Sequence, residues 1–146
     1  GRLHALMSII NAEVKEEPRL VGTAAASAAD ALKAKTACAG GLTHLFVASA
    51  QHLGIPARHV GGYVADEDGE GFAREWAEAF VPKIGWIAFD CGRSVCATER
   101  YVRVSAGLDS SGVDMLKGIG ETTRQDVRAQ EARPGKARSS QSQRQQ

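Results

Sequence analysis

A chain of 146 residues is long enough for one domain with a real hydrophobic core, and it needs no disulfide staple. Its apolar share of 43% and charged share of 24% are ordinary for a globular protein. The net charge of +1 hides an asymmetry: Arg133, Lys136, Arg138 and Arg144 face Glu131 alone between residues 131 and 146, so the remainder is mildly acidic and does not look like a nucleic-acid binder.

From Arg2 to Val14 the apolar residues Leu3, Leu6, Met7, Ile10 and Val14 recur at helical spacing. Pro18 and Gly22 break the chain, and the alanine-rich run Ala24 to Lys33 reads as a second short helix. A break at Ala39-Gly40-Gly41 leads into a third. Leu42, Leu45, Phe46, Ser49 and Leu53 line one face of it and Gly54 stops it, which predicts a central buried helix over Ala39–Leu53. After Pro56 the pattern turns to strands: Arg58 to Val64, Trp76 to Val81 and Trp86 to Phe89, the last two joined by Pro82-Lys83-Ile84-Gly85. An acidic turn, Asp66 to Glu70, separates the first two. Tyr101 to Val104 alternates as a further strand, and Arg124 to Ala129 as a last edge strand. Helices first and strands afterwards is the order of an α+β fold. The domain is expected over residues 1–130, with a disordered Ser/Gln/Arg-rich tail over 131–146.

Cys38, Cys91 and Cys96 are odd in number and too sparse for a secreted scaffold, which suggests reduced thiols and a cytoplasmic location. The Cys91/Cys96 spacing lacks a second pair or a histidine at ligand spacing, so no metal is expected. Nor is there an apolar run of membrane-spanning length. The chain starts at Gly1, without Met and inside a helical pattern, as a fragment that has lost an upstream region would.

Three segments carry a resemblance: Lys35-Thr36-Ala37-Cys38, the run LGIPARHVGGYV from Leu53, and REWAEAFVPKIGWIAFD from Arg74 to Asp90. With VCATERYVRVSAGLD from Val95 they resemble the transglutaminase-like superfamily, over roughly Leu3 to Gly118. The resemblance implies a papain-like core: N-terminal helices and a central buried helix packed on an antiparallel sheet of four or five strands. It also implies a Cys-His-Asp triad acting on amide bonds, needing no cofactor, with a peptide or protein amide as substrate or ligand. Members place a cysteine at the start of the central helix, a histidine two residues before Trp-Ala-Glu, and an aspartate closing the Gly-Trp-x-x-Phe-Asp strand. A helix N-terminus lowers a thiol pKa, an imidazole completes the ion pair, and the carboxylate orients the ring.

This chain keeps the aspartate as Asp90 but has Arg74 at the histidine position. A guanidinium cannot act as a base near neutral pH. An ungapped count from Lys35-Thr36 to Leu42-Thr43-His44 puts Ala39 at the cysteine position and Cys38 one residue early, about 100° away around a helix. Cys38 is then either a nucleophile brought back by a local shift at Gly40-Gly41 or a small buried hydrophobe. Arg74 either binds a substrate carboxylate or pairs with Asp90, and a charge inside a cleft favours the pair. Glu75, by strand alternation, points to the other face. His44 does not share a helical face with Cys38 and reads as structural, His59 could approach the cleft without an implied function, and His4 and His52 read as surface residues. Trp76 either stacks on a substrate backbone or packs in the core, and Trp86 is expected over a strand–helix seam. The leading expectation is a degenerate, peptide-binding or subunit-type pseudoenzyme. Its rivals are an active cysteine peptidase or amide transferase using Cys38 with Asp90, and a purely structural assembly subunit.

Overall fold

The computed structural model describes residues 1–19, 23–65 and 69–113. Helix α1 (Arg2–Glu13) turns Leu3, Met7 and Ile10 inward, as their spacing predicts, and leads into the two-residue strand β1 (Lys15–Glu16). Helix α2 (Ala28–Ala34) begins four residues later than the alanine run suggested. The cause is a cap: Ser27 Oγ accepts the amide of Asp30 at 3.2 Å and donates to its carboxylate at 2.7 Å, which fixes the start there. Strand β2 (Thr36–Ala37) pairs in parallel with β1 and runs directly into helix α3 (Ala39–His52).

Helix α3 is buried along most of its length, including Gly40, Gly41, Leu42, Phe46 and Ala50. It ends as the sequence predicts. Gly54 takes a left-handed φ of 75°, and the amide of Ile55 folds back to the Ala50 carbonyl at 2.9 Å.

Strands β3 (Ala57–Ala65), β4 (Gly71–Val81), β5 (Gly85–Asp90), β6 (Val95–Cys96) and β7 (Tyr101–Gly107) form one antiparallel five-stranded sheet in the order β6-β5-β4-β3-β7. A short helix α4 (Ser110–Val113) follows. This is the α+β arrangement expected. Strand β4 starts at Gly71, well before Trp76, because Phe72 to Glu75 continue the ladder with Gly61 to Val64. The turn between β4 and β5 is the predicted one, with positive φ at Lys83 and Gly85. The last edge strand expected over 124–129, the tail over 131–146 and residues 66–68 of the acidic turn lie outside the described residues. Among the described residues no helix is long and apolar enough to cross a membrane.

The sheet has two differently used faces. Ala57, Ala77, Ala79 and Phe89 join α1 and α3 in the main core, where Phe89 stacks on Phe46 at 5.0 Å. Val60, Val64 and Trp76 form a second cluster on the opposite face, with Phe72, Ala88 and Tyr101 against it. Trp76 is only 2% exposed and meets Tyr101 edge-on, so it is a core residue with no ring face open to a ligand. Trp86 departs from expectation. It is 43% exposed, packs beside Phe80 across the strand pair, and carries the Arg58 guanidinium 4.1 Å above its ring, so it covers no helix seam.

Candidate functional site

Arg74 and Glu75 are neighbours on β4, so alternation sends them to opposite faces of the sheet, and each builds a separate polar cluster.

Arg74 shares its face with Trp76, and the register Ala77↔Phe89 brings Asp90, at the end of β5, within its reach. The guanidinium donates to Asp90 twice, from Nε to Oδ2 and from Nη2 to Oδ1, the latter at 2.6 Å. It also donates from Nη1 and Nη2 to the two oxygens of Glu16, at 2.8 and 2.9 Å. Asp90 is 2% exposed and further accepts the Tyr101 hydroxyl at 2.9 Å and the Arg93 amide at 3.2 Å. Burial alone would disfavour the Arg74 charge, but the bonds to Asp90 and Glu16 outweigh it and hold the pKa above the ordinary arginine value. The predicted Arg74–Asp90 pair is therefore present, and it has a third member, Glu16, that sequence reasoning did not find. Cys91, next to Asp90, has its pKa pushed up to about 12 by burial and by the Asp90 charge, which disfavours its thiolate form.

Glu75 faces the helix layer. Its carboxylate lies 2.6 Å from Nε2 of His59 on β3 and 3.1 Å from Arg19, beside the first turn of α3. Gly40 makes this possible, because a Cβ there would stand 2.7 Å from Glu75 Oε2. His59 is fully buried, and burial lowers its pKa despite the carboxylate. A neutral ring donating Nε2–H to Glu75 leaves Nδ1 as a bare acceptor, and Nδ1 has no partner among the described residues. Burial tends to raise the Glu75 pKa, but His59, Ser110 and Arg19 overcome it and hold the carboxyl below its usual range. His44, 4.9 Å from His59 ring to ring, has both nitrogens committed. Nδ1 meets the Ala26 carbonyl at 2.7 Å and Nε2 accepts the Ser110 amide at 3.0 Å, which makes it a structural histidine.

Cys38 stands just outside α3 as its N-cap, half-buried, without a side-chain capping bond, and Ala39 is the first helical residue. Among the described residues the imidazole touching a cysteine sulfur is His4, 3.3 Å from Cys96, at a different place. The structure thus joins Arg74 with Asp90, leaves Cys38 without an imidazole, and buries Trp76.

The model of the transglutaminase-like superfamily matches residues 1–91 of this chain. The chain belongs to the transglutaminase-like superfamily. A crystal structure of a "putative cysteine protease" from Cytophaga hutchinsonii superposes with a TM-score of 0.64 at 24% identity, over 77% of this chain and 38% of that one. At that identity the likeness speaks for the fold. An uncharacterised protein of Mycobacterium leprae is 35% identical over 83 residues, which is 52% of this chain and 29% of the relative. The chain thus spans less than a third of that relative's length. Arg74, inside β4, and Asp90, at the end of β5, lie on neighbouring strands of this fold.

Proposed function

We propose that this is a transglutaminase-like domain that has lost thiol catalysis and uses its inherited cleft to bind a peptide or protein ligand. The supporting observation is the state of Arg74. A permanently charged guanidinium, held by Asp90 and Glu16 together, stands at the residue for which the resemblance calls for a base. Without that base an acyl transfer forfeits roughly 10²–10⁴-fold in rate. Ala39 at the first helical position, with Cys38 outside the helix, supports the same reading.

The experiment is to restore both positions. The variant Ala39→Cys with Arg74→His is expected to gain amidase or esterase activity on a fluorogenic substrate, while the parent stays at background. A correctly folded double variant with no activity would speak against the correspondence of positions.

A second reading, a cysteine amide hydrolase or acyltransferase with Cys38 as nucleophile, has one observation in its favour. Cys38 is the N-cap of α3, next to the helix start where the resemblance places a nucleophile. Alkylation of Cys38 followed against pH by mass spectrometry decides between them. Fast reaction near pH 6 supports the enzyme, and a rate that rises only near the pKa of a free thiol, about 8.5, supports the binding domain.

A further inference from the structure

The Arg74 cluster contains one guanidinium and two carboxylates, and the two carboxylates are not equivalent. Asp90 is structural: it is 2% exposed, lies at the end of β5, which is paired on both sides, and is bonded by Arg74, Tyr101 and the Arg93 amide. Glu16 differs on each count. Its side chain is 28% exposed, and it rides on a strand of two residues, held by the Lys15 amide to the Lys35 carbonyl and the Glu17 amide to the Ala37 carbonyl. Its carboxylate lies flat along the Nη1–Nη2 edge, one oxygen to each nitrogen, which is how arginine grips any free carboxylate.

The seat for that carboxylate is shaped by the main chain. A Cβ on Gly92 would stand 1.6 Å from Glu16 Oε2 and 2.8 Å from Arg74 Nη2, so a side chain there would occupy the space the carboxylate fills. The slot is therefore made of the outer edge of Arg74, fixed from behind by Asp90, and a residue without a side chain.

We infer that Arg74 and the Gly92 slot are a carboxylate-binding site that Glu16 occupies as a built-in stand-in for a carboxylate-bearing peptide ligand. This deepens the binding reading given above and rests on it. The ligand's carboxylate takes the Nη1–Nη2 edge, Asp90 keeps the guanidinium in place, and Glu16 swings outward into solvent. Glu16 thereby acts as an internal competitor that lowers the apparent affinity by the fraction of time it holds the edge. The carboxylate could come from a peptide C-terminus or from an acidic side chain.

The test is calorimetric titration of the full chain and of Glu16→Gln with three probes: N-acetylglycine, N-acetylglycinamide and N-acetylglutamic acid α-amide. Glu16→Gln is expected to bind at least one of the two acids about tenfold or more tightly than the parent does, because the competitor's charge is gone. The neutral amide should bind neither protein, and whichever acid wins identifies the source of the carboxylate. Adding Gly92→Ala to Glu16→Gln should abolish the gain by filling the slot. Should Glu16→Gln fail to fold, Glu16→Asp, which withdraws the charge by one methylene, carries the same comparison with a smaller gain. The inference is overturned if the folded variant binds the acids no better than the parent, if it binds acid and amide alike, or if Gly92→Ala leaves the gain intact. None of these outcomes touches the loss of catalysis, which is read by turnover in the Ala39→Cys, Arg74→His protein.

Discussion

Arg74 and Glu75 differ by one position in sequence, and the clusters they build differ in almost every physical respect. The Arg74 side pairs a permanent cation with carboxylates from two other elements, and one of those carboxylates faces water. The Glu75 side pairs a carboxylate with an imidazole that burial drives toward its neutral form. Both use a glycine as a seat, Gly92 for Glu16 and Gly40 for Glu75. A strand can therefore serve two chemistries at once, because its period of two separates them by the thickness of the sheet. The first cluster suits the recognition of charge, and the second locks the helix layer to the sheet.

The sharpest way to break this comparison is to remove the buried partner of Arg74. Asp90→Ala is expected to destabilise the domain by about 3–5 kcal/mol in urea melts, because it leaves the buried guanidinium only the partly exposed Glu16 and takes the acceptor from the Tyr101 hydroxyl and the Arg93 amide. A loss under about 0.5 kcal/mol would mean that the pair is effectively solvated. Next comes Gly40→Ala, whose methyl group would stand 2.7 Å from Glu75 and 2.9 Å from the Ala25 side chain. It should cost roughly 1–3 kcal/mol by overpacking, and leave the carboxylate site around Arg74 untouched when probed with the acids above. Tyr101→Phe removes one hydrogen bond to Asp90 and should cost about 1 kcal/mol, since Arg74 and the Arg93 amide still hold that carboxylate.

The smallest effect sharpens the contrast in acid. Burial lowers the His59 pKa from 6.5 in the folded chain, so as the pH falls the unfolded chain takes up the proton first. Stability should hold above pH 6.5 and decline as the pH falls below it toward the lowered folded value. Glu75, also lowered, adds its own loss further down, as the pH passes through its folded pKa, below the ordinary 4.5. Urea melts at pH 7.5 and 5.5 should show this decline in the parent and a flatter profile in His59→Gln. An equal slope in both would remove His59 as its source.

The elements with long periodic patterns were legible from sequence. Leu3, Met7 and Ile10 mark α1, Leu42, Leu45 and Phe46 mark α3, and the Pro82–Gly85 turn marks the β4–β5 hairpin. The β1–β2 pair was not, since two residues carry no period and their partners lie 21 positions apart. Glu16 was lost for the same reason: in Lys15-Glu16-Glu17-Pro18 it looks like any solvated charge. The Arg74–Asp90 pair could be foreseen because the sequence resemblance sets the two residues side by side and a charge inside a cleft calls for a partner. The His59–Glu75 pair depends on the register that sets Gly61 opposite Glu75. Strand parity alone carried half of it, by turning Glu75 away from Arg74. Trp86 misled because its place after a turn glycine suggested cover over a strand–helix seam, whereas Arg58 and Phe80 pack against it on an open face.

The β1–β2 pairing has a mechanical side. Residue 16 is hydrogen-bonded through its neighbours to the segment that delivers Cys38 to the head of α3. The two rungs, from the amides of Lys15 and Glu17, are the coupling between the gate over Arg74 and the start of the central helix. In hydrogen-exchange terms these two amides are expected to open together. Their protection measures how firmly the gate is latched, and a ligand that only swings the Glu16 side chain leaves it unchanged. One that peels the whole strand would expose both amides together and loosen the cap of α3 in the same motion.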